Sequence, residues 1–508
     1  MRQRFFKKDI LLLHRKSKNS LVDRQWRLRV LSLITAPILF LSACGGAEIP
    51  FGSIGNVEGP LGGVAADEPR AVLVAEDILS AGGTAADAAV GLYFALSVTY
   101  PIAASLGGGG ECLVYSPEIN KIENLQFPNG VPAAGGDISI PGNIRGMAAL
   151  QARYGKLEWR TVLTAAEKIA TFGEPLSRAQ HLAMILNEDQ LSLDYTLTNI
   201  FKENSGEFVA EGTRIQQIRL GSLLSVLRSE GGASFYSGNW ARTFVEDANN
   251  AGGKVTLTDL VNYKPVWIDA QTFRVDDNIA GVSTKMPGDL YAQLWSQIFG
   301  EGKNILRTRV EVPQMELAKA TASVFTSINS VSLFSSHGST SFVTTDNLGN
   351  AVACVVSMRK PFGTGKIGNI TGIVLAPTIL DHQSEFLNSP LLVVNLPNKD
   401  FYYASAVSGG AAGTTASIGT AINIFGDDVS LDVAMSRPRL FTTSQSSPLL
   451  YEGTMSEEDI STLNNDFPIL VEVDRLAVVN SIYCRNGKVQ NCVSRHDPRG
   501  FGLSLIEN

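Results

Sequence analysis

The sequence predicts a layered protein of mixed helices and strands. Helical patterns dominate from residue 68 to residue 173, and the texture changes to strands after residue 340. Strand-like runs nonetheless occur in both halves, as expected when sheets are covered by helices. The 508 residues are 44% hydrophobic, enough to bury one or two sizeable cores.

The amino-terminal segment reads differently from the rest. Residues 2–29 are rich in Arg and Lys, and an apolar run, "VLSLITAPILFLSA" (30–43), ends at Cys44. The run is too short to span a bilayer comfortably, and with its basic flank and small terminal residues it reads as a secretory signal. Two readings of Cys44 stay open: a lipidated cysteine, because "LSAC" (41–44) resembles the lipobox of bacterial lipoproteins, or a plain signal with a coincidental cysteine. Residues 45–66 are Gly-rich and read as a tether. Export, with a lipid anchor in the membrane, is the resulting expectation.

The elements follow in order. "EPRAVLVAEDILSAGG" (68–83) is a helix closed by glycine. Thr84 caps the next helix, "AADAAVGLYFALSVTYP", which is apolar on most faces and therefore buried. "ASLGGGGECLVYS" (104–116) is a glycine turn entering a strand. Residues 146–156 and 159–173 are two more helices. In 232–263, Thr256 or Thr258 caps a short helix. "SFVTTD" and "AVACVVSM" flank "NLGN" as a hairpin. Strands follow at 391–395 and 402–408, and a helix begins near Thr415.

Composition excludes several classes. The formal charge of −7 gives no basic face for nucleic acid. No cysteine pair has metal-site spacing and the five histidines are scattered, so neither a metal nor a cofactor is expected. Cys484 and Cys492 flank a stretch containing Asn486–Gly487, a hairpin-turn dipeptide. A turn there brings the two cysteines close, and an exported protein can oxidise them.

Several blocks, in one order over roughly residues 65–505, resemble γ-glutamyltranspeptidases, which are N-terminal nucleophile hydrolases. "GGTAADAAV" (82–90), "YPIAASLGGGGECLVY" (100–115), "PGNIRGMAALQARYGKLEWRTVLTAAEKIA" (141–170), "GNAVACVVSMRKPFGTG" (349–365) and "HDPRGFGLS" carry the likeness. The resemblance implies a four-layer αββα fold and cleavage of the chain into a large (67–338) and a small (339–508) part. It also implies a small amide or peptide substrate of γ-glutamyl, glutathione-like type.

Spacing back from "DNLGNAV" places Ser339 at the family's nucleophile position, Thr340 second, and Ser341 where the family has histidine. Cleavage of Gly338–Ser339 would free an α-amine, with a pKa near ~8, to serve as base for the Ser339 hydroxyl. A four-residue loop at 347–350 would set Thr340 opposite Ser357 and Ser339 opposite Met358. "VSGGAAG" (407–413) resembles the family's oxyanion segment, making the amides of Gly409, Gly410 and Ala411 candidate donors.

The substrate-reading positions depart from the family. "FPNGVPAA" (127–134) has Pro128 and Asn129 where the family has a carboxylate-binding arginine. Of the α-amine-binding group only Asp381 persists. Arg359 sits at a substrate-contacting position and is a candidate cation. Three readings follow: a self-processing γ-glutamyl amidohydrolase or transferase, a non-catalytic binding or structural lipoprotein, and an acylase of the same fold with another acyl group.

Overall fold

Two antiparallel sheets lie face to face in this computed structural model, which describes residues 61–284, 286–300, 313–326, 338–378 and 389–507. Cys44 and Asp381, and so the expectations on them, lie outside the described residues. Strand β1 (Gly62–Ala66) leads into helices α1 (Pro69–Ser80) and α2 (Ala85–Thr99). Strands β2 (Gly109–Ser116) and β3 (Lys121–Phe127) precede helices α3 (Asn143–Tyr154), α4 (Trp159–Phe172), α5 (Arg178–Leu186) and α6 (Ile218–Glu230). Next come β4 (Val266–Asp269), β5 (Gln271–Val275), β6 (Asn278–Val282), α7 (Met286–Phe299) and α8 (Gln314–Thr326). The remainder contains β7 (Gly338–Asp346), β8 (Ala351–Arg359), β9 (Leu391–Asn395), β10 (Asp400–Ser408) and α9 (Ala411–Phe425). Strands β11 (Val478–Cys484), β12 (Cys492–Arg495) and β13 (Leu503–Glu507) complete the two sheets.

The first sheet runs β13-β1-β7-β8-β2-β3-β4 and the second β12-β11-β10-β9-β6-β5. Val343, Val355 and Leu113 of the first sheet pack on Leu392, Ala404 and Ile482 of the second. On the outer face of the first sheet, Phe342 and Val356 meet α1, α2, α3, α4 and α6. Helices α7, α8 and α9 cover the second sheet. This is the expected four-layer αββα sandwich. Strands buried on both faces read as continuous apolar runs such as "AVACVVSM", because neither face meets water.

Local signals work where the chemistry is local. Thr84 and Asp87 form a capping box at α2, and Asp87 also accepts from the amides of Lys156 and Leu157. Thr256, not Thr258, caps its short helix in the same way. The tether expected to run through residue 66 ends earlier, since residues 62–66 form β1, paired to β7 and β13. Helix α9 begins at Ala411 rather than near Thr415: Gly410, at φ 63°, turns the chain from β10 straight into it.

Two disulfides are present among the described residues. Cys484–Cys492 closes the β11–β12 turn as expected. The second, Cys112–Cys354, joins directly opposed residues of β2 and β8 and is 242 residues apart in sequence. Its members lie in two distant apolar strands, so no local spacing points to it.

Glu111 is a carboxyl buried between the sheets. On β2, it accepts from Ser283 Oγ at 2.6 Å and Asn124 Nδ2 at 3.4 Å, and burial pushes its pKa up to about 7. The folded state therefore holds this proton more tightly than the unfolded chain, whose value is near 4.5. Its stabilising contribution is full below that value and is lost as pH rises through about 7. Thermal melts should fall across this window by the equivalent of roughly 3 kcal/mol, and Glu111→Gln should flatten that part of the profile.

Candidate functional site

The hairpin β7–β8 sets the site, and its register differs by one residue from the expected one. Thr345 pairs with Ala351, so Ser357 faces Ser339 directly and Thr340 faces Val356. The cause is Asp346, whose carboxylate turns inward to accept from the amides of Ala85, Leu348 and Asn350, lengthening the loop to residues 346–350. The Ser357 hydroxyl donates to the Gly338 carbonyl oxygen at 3.2 Å. It therefore polarises the bond that precedes Ser339. Gly338 has no room for a side chain, because a Cβ there would lie 2.1 Å from the Lys360 carbonyl oxygen.

Behind Ser339 lies a buried carboxylate that sequence reasoning missed. Asp67, one residue past β1, accepts from Thr340 Oγ at 2.8 Å and from the Ser341 amide and Ser408 hydroxyl at 3.3 Å each. Its other oxygen accepts from Asn480 Nδ2 at 2.6 Å. Asn480 also reaches the Ser341 hydroxyl at 3.0 Å. Burial raises the Asp67 pKa, and the four donors work against that rise. Thr340 and Ser341 are thus anchors for the strand start. An asparagine inside the apolar run "LAVVNSIY" is the signal that could have drawn attention to Asn480; nothing local marks Asp67.

Ser339, Asp67, Ser408 and Gly409 line one cavity of about 380 Å³. Gly409 adopts φ 131°, and a Cβ there would lie 2.4 Å from Ala477 Cα. Gly410 and Ala411 form the entry to α9, whose first amides have no partner within the helix. Thr340, Ser357, Arg359, Gly410 and Ala411 are outside the cavity lining. Arg359, at φ 71°, sits on the bulge opposite Gly338. Asn129 is locked inside, donating to Gly107 O and Ser139 Oγ at 2.9 Å each. Among the described residues, no cluster of three or more His, Cys, Asp or Glu could hold a metal.

Two substitutions probe this arrangement. Asp67→Ala leaves the buried Thr340 hydroxyl without its acceptor and removes one partner of the Asn480 amide, and should cost about 3 kcal/mol in urea unfolding. Gly338→Ala should displace the start of β7 and lower the melting temperature, whereas Ser339→Ala, at a partly exposed position, should leave it nearly unchanged.

Comparison with known proteins adds identity to this geometry. The Gamma-glutamyltranspeptidase family model matches residues 71–298. A glutathione hydrolase proenzyme of Bacillus subtilis is 29% identical over 42% of this chain and 41% of its own length. One from Pseudomonas aeruginosa is 32% identical over 47% of this chain and 46% of its own. The chain thus spans less than half the length of these curated relatives. By fold, it matches the crystal structure of a cephalosporin acylase from Bacillus halodurans with TM-score 0.68 at 19% identity, covering 87% of this chain and 95% of that one. Over residues 71–298 the chain is similar to γ-glutamyltranspeptidases, and it shares the layered αββα fold of the acylase.

Proposed function

We propose that this protein is an exported amidohydrolase or acyl transferase that cuts its own chain between Gly338 and Ser339 and then uses Ser339 as nucleophile. The observation that carries this reading is the Ser357 hydroxyl on the Gly338 carbonyl, with Ser339 on the cavity wall beside it. In the self-cutting step the Ser339 hydroxyl oxygen adds to the Gly338 carbonyl carbon. The C–N bond breaks, its nitrogen takes the hydroxyl proton, and an ester remains. Water then splits the ester, leaving the Gly338 carboxylate and a free Ser339 amine.

That amine, with a pKa near ~8, is the base for catalysis. It takes the Ser339 hydroxyl proton as the oxygen attacks a substrate amide, and the leaving amine departs with a proton. The acyl-ester passes to water or to an acceptor amine. Gly409, on the cavity wall, supplies the amide donor for the oxyanion, and the amino terminus of α9 adds positive potential. The names of the glutathione hydrolase relatives support an amide of γ-glutamyl or related type as substrate. Two disulfides support an oxidising compartment, in keeping with the basic and apolar leader and a lipid on Cys44.

A non-catalytic binding role is favoured by a separate observation: Thr340 and Ser341 are committed to Asp67 and Asn480. One gel separates the two readings. Under reducing conditions the protein should run as two fragments divided near residue 338, and Ser339→Ala should abolish the split. Without reductant the fragments should migrate together, because Cys112–Cys354 bridges the cut. A single chain under reducing conditions excludes the catalytic reading. Radiolabelled palmitate should enter the wild-type protein and not Cys44→Ala.

A further inference from the structure

One wall of the cavity beside Ser339 is hydrocarbon. Helix α5 supplies Ala179, Leu182, Ala183 and Leu186, whose spacing places all four on one helix face. Met184 and Gln180, buried on the other side, fix that face toward the cavity. Val473 and Phe501 continue the apolar wall.

Against it stands a cation. Among the described residues, Arg475 is the only basic side chain in the lining. Its Nη1 donates to the Arg499 carbonyl at 3.2 Å, and among the described residues no carboxylate is ion-paired with it. Its field reaches inward. Burial first, and then Asp67, push the phenol of Tyr100 on the cavity wall well above its usual range, and Arg475 opposes them.

A γ-glutamyl head carries an ammonium and a carboxylate on one carbon and needs both signs close together. Among the described residues the one acidic group in the lining is Asp67, which already accepts four hydrogen bonds. The position of the family's carboxylate-reading arginine is taken by Asn129, which is buried and bonded to the fold.

We propose that the site takes amides of acids with an apolar acyl chain and one terminal anionic group, the chain lying on α5 and the anion at Arg475. This rests on Ser339 being the nucleophile. The acyl carbonyl meets Ser339, the amine leaves with a proton, and water completes the hydrolysis, so no co-reactant beyond water is needed.

The test uses three sets of 4-nitroanilides with the processed protein: α,ω-dicarboxylic mono-anilides of increasing length, the matching monocarboxylic anilides, and the γ-glutamyl anilide. The best dicarboxylic substrate should exceed the γ-glutamyl one in kcat/KM by at least ~10-fold. A charge-assisted contact implies that Arg475→Ala lowers the ratio of dicarboxylic to monocarboxylic turnover by ~10- to 100-fold, mainly through KM. Arg475→Lys should restore part of it. Preference for the γ-glutamyl anilide, or an unchanged ratio in Arg475→Ala, overturns the proposal.

Failure of self-cleavage is a different outcome, read on the gel. In that case the intact chain is titrated calorimetrically with the same dicarboxylic and monocarboxylic anilides. An Arg475-dependent preference for the dicarboxylic compound upholds the substrate class, and equal binding or none overturns it.

Discussion

The geometry around Ser339 depends on one buried carboxylate. Asp67 gathers donors from β7, from the end of β10 and from β11, so a single side chain ties the two sheets together where β7 begins. A carboxylate in a dry interior is costly unless its lone pairs are filled, and four donors fill them. Its partners are separated from it by 273 to 413 residues in sequence. The arrangement therefore exists only once both sheets have assembled, and it holds Thr340 and Ser341 while leaving Ser339 on the cavity wall.

A second carboxylate works at the other end of the same strand. By drawing three amides inward, Asp346 adds a residue to the hairpin loop and shifts the whole register. A one-residue slip exchanges every cross-strand partner. In the shorter loop Met358 would have faced Ser339; in the observed one Ser357 does, and its hydroxyl reaches the Gly338 carbonyl.

Scaffold and specificity diverge in this chain. The strand order follows the αββα sandwich, and the capping boxes and close-approach glycines answer its packing demands. The groups that would read a substrate do not follow it. Asn129 has been absorbed into the fold, and Arg475 has entered the cavity from a segment near the carboxyl end. A disulfide between β2 and β8 fastens the regions before and after Ser339, so their association does not rest on packing alone.

Much of the architecture was legible in the sequence. Apolar periodicity, turn residues and capping boxes act over a few positions, which is why α1, α2, β9 and the β7–β8 hairpin could be read directly. The placing of Gly338 and Ser339 at the start of β7, and of the Gly409–Gly410 turn before α9, was legible through collinear motifs. The tertiary structure alone decided the rest. Asp67 sits in an ordinary "ADEP" stretch, Cys112 and Cys354 in two apolar strands far apart in the chain, and Arg475 in a loop with no motif. Their roles come from contacts made across hundreds of residues, and no local pattern encodes which distant groups two stacked sheets will bring together.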